Sequence, residues 1–302
     1  MTFKDSFITY EAFGATGNGV TDDLPAICGA HEYANEHGFP VRTKPDATYH
    51  LGSRALTVII ATNTDWNTSR FTIDDTLVED HKTPLFEVRS LLAPEELRID
   101  RLTRDQKRLA ARIEHDCHVL VESDNKRRYI RQGLNENQGV PQHDCFILRR
   151  DGAVEGTIDW NYDSITRIEA RPIDEKPLVL CGGVFTTFAN RMKQDIGYNY
   201  WSRNIVITRS NTEVEGLTHY VVGETSVGDP YAGFISVRQC ANITLRSCFA
   251  TGHKVYSTIG SAGQPVNMGS YDYNANNVVN FRMINCRMNH ICDRTRWGVI
   301  GS

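Results

Sequence analysis

Apolar and polar residues alternate in short runs along the second half of the chain. Alternation with a period of two is typical of a half-buried β-strand, because successive side chains of a strand point to opposite sides. Glycine, asparagine and serine separate the runs, and no helical periodicity intervenes. The alternating pairs are Ile205/Ile207, Leu217/Val221, Ile235/Val237, Ile243/Leu245 and Val255/Ile259. With three short strands in each period, the pattern predicts a parallel β-solenoid whose coils stack on one another.

A repeat of 38 residues links three similar segments in this half. The segments are 204–210, 242–248 and 280–286. Each begins with asparagine and continues with alternating apolar residues, and stacked coils would place equivalent residues in columns. We expect Asn204, Asn242 and Asn280 to form one column at a bend, where asparagine tolerates left-handed backbone angles. Cys248 and Cys286 are expected to form another column inside the coils.

The first half of the chain predicts helices as well as strands. Acidic residues and a proline precede apolar positions on one face of residues 24–34, which is the pattern of a short amphipathic helix. A helix here would cap the first coil, whose apolar interior would otherwise be exposed. Residues 93–114 are highly charged and include the helix-favouring run 103–113. We interpret this segment as a helical excursion on the surface.

The expected organisation is a single all-β domain over residues 1–302. Residues 1–50 would form the N-terminal cap and first coil, 80–140 the excursion, and 140–302 the regular coils. The final residues, 297–302, map onto the middle of a period. This position predicts a truncated end, which either continues into a longer solenoid or is covered by another chain.

Charge and composition narrow the classes of function. The chain carries 33 Lys+Arg against 37 Asp+Glu, a net charge of −4, and its pI is about 6.2. Binders of nucleic acid or membrane surfaces need a dominant positive field, so neither partner is expected.

The apolar runs are shorter than the roughly 20 residues of a transmembrane helix. Residues 1–5 lack the apolar core of a signal peptide, so the chain is either cytoplasmic or a mature form.

Two motifs near the start carry a family resemblance. Residues 13–23 read FGATGNGVTDD, and residues 38–49 read GFPVRTKPDATY. Together they resemble the N-terminal signature of the pectin-lyase-like superfamily, with Ala47 where the family usually has glycine. The superfamily contains polygalacturonases and other glycoside hydrolases, polysaccharide lyases, epimerases and tailspike depolymerases. The resemblance implies a right-handed parallel β-helix, a polysaccharide or oligosaccharide ligand and an extracytoplasmic location, although the polygalacturonase motifs are not recognisable.

Side-chain direction selects a candidate binding face. If the apolar residues of the coils point inward, residues of the opposite parity point outward. The outward aromatic and cationic residues are Tyr220, Lys254, Tyr256, Arg294 and Arg296. Cations pair with sugar carboxylates and tyrosine rings cover sugar C–H faces, so this face is predicted to bind an acidic sugar. The same residues also fit a solvated strand face.

Acidic residues and histidines supply the candidates for catalysis. The 38-residue shift places Glu215 beside His253, where the carboxylate could orient the imidazole for proton transfer. Asp272 has outward parity and Glu224 lies in a nearby loop, so either could pair with Glu215 as acid and base. His219 has inward parity and is expected in the core. Bend contacts and solvated loop acids are the structural alternatives for these residues.

Two classes of function follow. The first is cleavage of a polysaccharide or oligosaccharide, with a glycoside hydrolase slightly favoured over a lyase. In the lyase version His253, Lys254 or Tyr256 would abstract a proton beside a uronate carboxylate, and Arg294 or Arg296 would neutralise that carboxylate. The second class is a non-catalytic glycan-binding or tailspike-type structural module, as a monomer or homotrimer. No cofactor or metal site is predicted, and calcium stays open because lyases of the superfamily often use it.

Overall fold

The fold was determined as a computed structural model of the 302-residue chain. The structure describes residues 7–52, 54–129, 140–189, 191, 201–224, 227–228, 231–252, 257–261, 265–268, 270–289 and 297–301. These ranges are mostly β-structure, together with one α-helix, α1, at Leu24–His37 and a short 3₁₀ helix at Glu11–Phe13.

Short strands separated by bends make up most of the described chain. Strands β1 to β12 are Asn18–Asp22, Val41–Arg42, Thr48–Leu51, Val58–Ile60, Thr64–Asp65, Arg70–Asp74, Phe86–Val88, Cys117–Tyr129, Val140–Leu148, Val154–Glu155, Arg167–Pro172 and Leu178–Cys181. Strands β13 to β24 are Val184–Phe188, Ile205–Ile207, Thr212–Glu215, Thr218–Val222, Val227–Gly228, Ala232–Arg246, Phe249–Ala250, Ser257–Ser261, Pro265–Met268, Ser270–Ile284, Arg287–Met288 and Trp297–Gly301. The chain therefore changes direction after every few residues in most places.

Two large sheets are built from parallel pairs between segments that are distant in sequence. The seven-stranded sheet has the order β1-β3-β6-β13-β16-β19-β23. The ten-stranded sheet has the order β2-β5-β12-β15-β18-β14-β7-β4, and β22 and β24 extend it from β18. Neighbours in both sheets run parallel, for example β6 with β13 and β15 with β18. Segments that are distant in sequence therefore lie side by side as parallel strands.

Aromatic side chains from neighbouring coils pack together in the interior. Parallel register places Tyr49, Phe71 and Phe185 side by side in the seven-stranded sheet. The rings of Phe71 and Phe185 are stacked with centroids 4.5 Å apart, and Trp66 meets Phe185 edge-on at 5.1 Å. All four side chains are fully buried. Burial of large apolar surfaces across coils is the main force that holds the stack together.

The coils differ in length, so the expected repeat of 38 residues is only partly correct. Successive steps are 34, 31 and 38 residues in the row formed by Leu178, Thr212, Ile243 and Phe281. The prediction that Asn204 and Asn242 share a column is wrong, because residues 205–207 pair with residues 235–237. Two strands of each coil have similar alternation, and the length of the connecting loop decides which of them become neighbours.

An asparagine column does run along one bend, but it starts at Asn211. Asn280 Nδ2 donates to Asn242 Oδ1 at 2.9 Å, and Asn242 Nδ2 donates to Asn211 Oδ1 at 2.9 Å. Their φ angles are 52°, 59° and 59° in chain order, which is the left-handed region that asparagine tolerates. Register also places Cys286 beside Cys248. The predicted 38-residue step is therefore confirmed for the last coil.

The predicted N-terminal helix is confirmed. Helix α1, Leu24–His37, ends at Gly38, whose φ of 72° is easily adopted by glycine. Its buried face consists of Leu24, Ile27, Ala30, His31 and Ala34, and packs into the main core. Just before the helix, the carboxylate of Asp23 accepts hydrogen bonds from the backbone N–H groups of Thr16 and Gly17 at 2.7 and 3.2 Å. No helix in the described ranges is long and apolar enough to cross a membrane.

A buried polar chain links helix α1 to the coils. Trp66 Nε1 donates to the hydroxyl of Tyr10 at 3.0 Å, and this hydroxyl is hydrogen-bonded to Nε2 of His31 at 2.9 Å. Burial lowers the pKa of His31 to about 3, so the ring is neutral at physiological pH.

The prediction of a helical excursion at residues 93–114 is wrong. This segment is irregular and forms isolated β-bridges, one of which joins Leu102 to Tyr162. The side chains of Leu97, Leu102 and Leu109 are buried in a second hydrophobic core. Helix propensity is a weak local preference, and burial of the leucines against a sheet outweighs it.

That second core belongs to an inserted antiparallel sheet. Its four strands, in the order β10-β9-β8-β11, lie within residues 117–172. Strands β9, β10 and β11 were expected in the regular coils and instead form this sheet. It packs against the coils where Ile147 and Ile173 contact Ala241 and Val279. The insertion thus adds a second layer to one side of the molecule.

Candidate functional site

The outer side of the seven-stranded sheet carries the predicted candidate Tyr220. Strand β16 alternates regularly, with His219 and Val221 buried and Tyr220 and Val222 exposed. The Tyr220 side chain is 39% exposed and meets the ring of Phe249 edge-on, with centroids 5.9 Å apart. The inward direction of His219 and the outward direction of Tyr220 agree with the prediction.

Parallel register arranges the outward side chains in rows that cross the coils. The row through Tyr220 consists of His50, Thr72, Thr186 and Tyr220. The row on one side of it consists of Thr48, Arg70, Val184, Thr218, Phe249 and Arg287. The row on the other side consists of Asp74, Phe188 and Val222. We call these three rows the tyrosine face.

A guanidinium group is fixed at the edge of the tyrosine face. The Arg191 guanidinium carbon lies 4.6 Å from the ring centroid of Phe188, and Nη1 lies 3.4 Å from Asp74 Oδ2. Burial raises the pKa of Asp74, but hydrogen bonds from Thr76 and the charge of Arg191 outweigh this effect and hold the pKa below its ordinary value. The carboxylate therefore stays charged and positions the guanidinium.

Several predicted site residues cannot be placed on this face. His253, Lys254, Tyr256, Arg294 and Arg296 lie outside the described residues, so their roles stay predictions. Glu224 is described and half-buried in the loop after strand β16. Its assignment as an acid or base also stays a prediction.

Glu215 is exposed as expected, but its predicted neighbour is wrong. Register pairs Glu215 with Arg246 in place of His253, because this coil is 31 residues long and not 38. Glu213 occupies the same outer side of strand β15, two residues earlier, and accepts a hydrogen bond from Arg246 Nε at 2.6 Å. This hydrogen bond raises the pKa of Arg246. The structure therefore brings two carboxylates and one guanidinium together.

Asp272 is buried, which contradicts the predicted outward position. The register of strand β22 against β18 shifts between Tyr271 and Tyr273, and this irregularity breaks the alternation. As a result Asp272 is 1% exposed, and its Oδ1 lies 3.5 Å from Nδ1 of His219 inside the coils. Glu215 is in register with Arg246, which is in register with Ile284 at the far end of strand β22 from Asp272. Glu215 and Asp272 therefore do not form a catalytic pair.

The described residues do not contain a group of three His, Cys, Asp or Glu side chains suited to a metal ion. The seven cysteines among them are free thiols. Burial raises the pKa of Cys248 to about 12 and that of Cys181 to about 11. These thiols are therefore protonated at neutral pH and are poor nucleophiles.

Sequence reasoning missed both phenylalanines of the tyrosine face and the guanidinium at its edge. Phe188 could have been found, because the alternation of strand β13 places it on the same side as Thr186. Phe249 could not have been found in this way, because its position beside Tyr220 depends on the length of the chain segment that connects the two strands. Arg191 follows the strand and folds back onto Phe188, which no local pattern predicts.

Similar solved structures include bacterial adhesins and phage tailspikes. The surface adhesin PfbA of Streptococcus pneumoniae is 11% identical, with a TM-score of 0.42, over 93% of this chain and 61% of that one. The tailspike gp49 of Pseudomonas phage LKA1 is 13% identical, with a TM-score of 0.44, over 93% and 55%. The Gp54 tailspike of Acinetobacter baumannii phage AP22, in complex with capsular saccharide, is 9% identical, with a TM-score of 0.40, over 93% and 51%.

The chain spans between 51% and 61% of the length of these three proteins. No protein-family model and no curated protein sequence matches the chain.

Proposed function

We propose that the chain is a right-handed parallel β-helix that binds a polysaccharide along the tyrosine face. The observation that carries the proposal is the exposed ring of Tyr220, braced edge-on by Phe249 within rows of threonine hydroxyls. An aromatic ring can cover the C–H face of a sugar, while hydroxyl groups donate and accept hydrogen bonds. Because the rows cross several coils, the face suits a polymer better than a single sugar.

Cationic side chains favour an acidic polysaccharide. Arg191 lies at one edge of the tyrosine face, and Arg70 and Arg287 are exposed members of one row. A guanidinium group can pair with a sugar carboxylate through two hydrogen bonds. The sequence predicts three further cations for the same face, Lys254, Arg294 and Arg296, together with the aromatic ring of Tyr256.

We expect Tyr220→Ala to weaken binding to an acidic polysaccharide by at least about tenfold, which corresponds to about 1.4 kcal/mol. The loss arises because the stacking surface is removed while the strand and its inward side chains are kept. The measurement is calorimetric titration of the protein with pectate, alginate and hyaluronate.

The matched control is Tyr33→Ala, since Tyr33 is 40% exposed on helix α1, outside the tyrosine face. This variant should bind as the unmodified protein does. Equal affinities for all three proteins, or no binding to any acidic polysaccharide, would show that the tyrosine face is not the site.

Cleavage of the bound polymer is a second candidate, favoured by Glu213 and Glu215. Carboxyl groups two residues apart on one side of a strand are separated by about 7 Å, within the 6.5–9.5 Å of inverting glycosidases. Arg246 Nε donates a hydrogen bond to Glu213 at 2.6 Å and fixes its position, so in this scheme Glu213 would remove a proton from the attacking water. Glu215 would donate a proton to the leaving sugar oxygen as the glycosidic bond breaks.

Under this scheme Glu215→Gln should lower the rate of cleavage by at least about a hundredfold, because the proton donor is removed. The assay measures new reducing ends released from whichever polysaccharide binds. Glu36→Gln, at an exposed position of helix α1, is the control and should cleave normally. Products that absorb in the near ultraviolet would indicate a lyase and contradict the scheme.

A further inference from the structure

A cleft of about 620 Å³ lies between the inserted sheet and the first coils, away from the tyrosine face. One wall consists of the bends near Pro40 and Thr62. The opposite wall consists of residues 174–178, which lead from the inserted sheet back to strand β12. Leu92 and His115 complete the lining. A volume of this size accommodates one or two sugar units.

His115 presents an oriented imidazole to the cleft. Its Nδ1 lies 2.8 Å from Glu95 Oε1, and Glu95 also accepts the backbone N–H groups of Glu114 and His115 at 2.8 Å. Burial raises the pKa of Glu95, but these hydrogen bonds outweigh it and hold the pKa below its ordinary value. Glu95 is thus an ionised carboxylate, which accepts a hydrogen bond from the Nδ1–H group of His115. The other nitrogen, Nε2, makes no hydrogen bond within the described part of the chain and is left for a ligand.

The segment that contains Asp174 is held in place by contacts within the protein. The backbone N–H of Ile173 donates to the carbonyl of Asp116 at 2.7 Å, and continuing this antiparallel register places Asp174 across from His115. Asp174 Oδ1 lies 3.3 Å from Nη2 of the buried Arg209. Asp174 Oδ2 has no hydrogen-bond partner among the described residues. Asp174 is therefore fixed beside His115, and its Oδ2 is buried, so the imidazole Nε2 of His115 is the polar atom that the cleft offers to a ligand.

The lining matches a saccharide better than a phosphate or an apolar ligand. The apolar part of the lining consists of Pro40, Leu92, Pro177 and Leu178. Such surfaces suit the C–H faces of a sugar, while the imidazole of His115 can bond one of its hydroxyl groups. The charged lining residues are Asp174, Glu175, Lys176 and Arg209, whose formal charges cancel, and the Arg209 guanidinium already donates to the backbone carbonyls of residues 176, 210 and 211. The cleft therefore offers no net positive charge to an anion.

We propose that this cleft is a second carbohydrate site, which binds a neutral sugar unit with His115 Nε2 as a hydrogen-bond partner. It does not depend on the tyrosine face, because none of its lining residues belongs to the rows around Tyr220. A chain with both sites would hold a polymer on one side and a single unit or chain end on the other.

The test is saturation-transfer NMR of the intact protein with the methyl glycosides of glucose, galactose, mannose and N-acetylglucosamine. At least one is expected to bind, and Leu92→Trp should weaken that binding by at least about tenfold because the larger ring fills the cleft. Leu91→Trp is the matched control, since Leu91 is 62% exposed next to Leu92 but does not line the cleft. It should bind as the unmodified protein does.

Two further measurements separate this proposal from that for the tyrosine face. His115→Gln should weaken glycoside binding, whereas Tyr220→Ala should leave it unchanged. Leu92→Trp should in turn leave polysaccharide binding unchanged. The proposal is overturned if no methyl glycoside binds, if Leu92→Trp binds normally, or if inorganic phosphate displaces the glycoside.

Discussion

Replacing Asp75 with alanine is expected to lower the free energy of unfolding by about 3–5 kcal/mol. The Asp75 and Arg203 side chains are both fully buried, and Arg203 Nε donates to Asp75 Oδ1 at 2.9 Å. Arg203 also donates to the backbone carbonyls of Arg54 and Gly52. Its guanidinium therefore ties three separate segments together. Without Asp75 the positive charge stays buried with no counter-charge, which is the costly part of the change.

Asp74→Ala is the matched control for this experiment. Asp74 is adjacent in sequence, but its ion pair with Arg191 at 3.4 Å is partly exposed on both sides. Water screens such a pair, so its removal should cost about 1 kcal/mol or less. Urea denaturation followed by circular dichroism measures both values. Equal losses in the two variants would contradict the assignment of Asp75 as the buried counter-ion.

The free energy of unfolding is expected to fall as the pH drops below about 6.5. Two histidines stay neutral when buried in the folded chain, whereas the unfolded chain binds protons at both. Burial lowers the pKa of His31 to about 3 and that of His118 to about 4. In each case the unfolded chain binds the proton more readily than the folded chain. The stabilising contribution is therefore complete above the unfolded-state pKa and is lost as the pH falls toward the folded-state value. Each group contributes a slope of up to about 1.4 kcal/mol per pH unit.

His31→Gln should remove one of these two slopes, because the glutamine amide can still hydrogen-bond to the Tyr10 hydroxyl but does not titrate. His37→Gln, at an exposed position of the same helix, should keep the slope of the unmodified protein. The measurement is urea denaturation at several values between about pH 6 and pH 4.5. Identical slopes in all three proteins would show that His31 is not a source of the acid sensitivity.

The N-terminal part of the fold could be predicted well from sequence. The motif before helix α1, the helix itself and its buried face depend on residues that are close together in the chain. Strand alternation was equally informative, since the directions of His219 and Tyr220 follow from neighbouring positions. The helix expected at 93–114 failed because long-range burial of leucines in the inserted sheet overrode local helix propensity.

The candidate site was only partly predictable for a related reason. Tyr220 was found from parity, but the neighbour of Glu215 was assigned by assuming one coil length for the whole chain. The coil that follows Glu215 is seven residues shorter, which places Arg246 beside it. Asp272 was misplaced because one irregularity in strand β22 reverses the alternation, and no residue pattern marks that irregularity.

The amino-acid sequence by itself thus determined which residues form most strands, which side of a strand most residues face, and where the first helix lies. These properties depend on contacts between residues a few positions apart, and the amino-acid order specifies those contacts directly. The folded molecule alone decided which coils are neighbours, where the inserted sheet packs, and that a cleft opens between them. Such features depend on loop lengths and on burial between segments more than a hundred residues apart, for example Thr64 and Leu180.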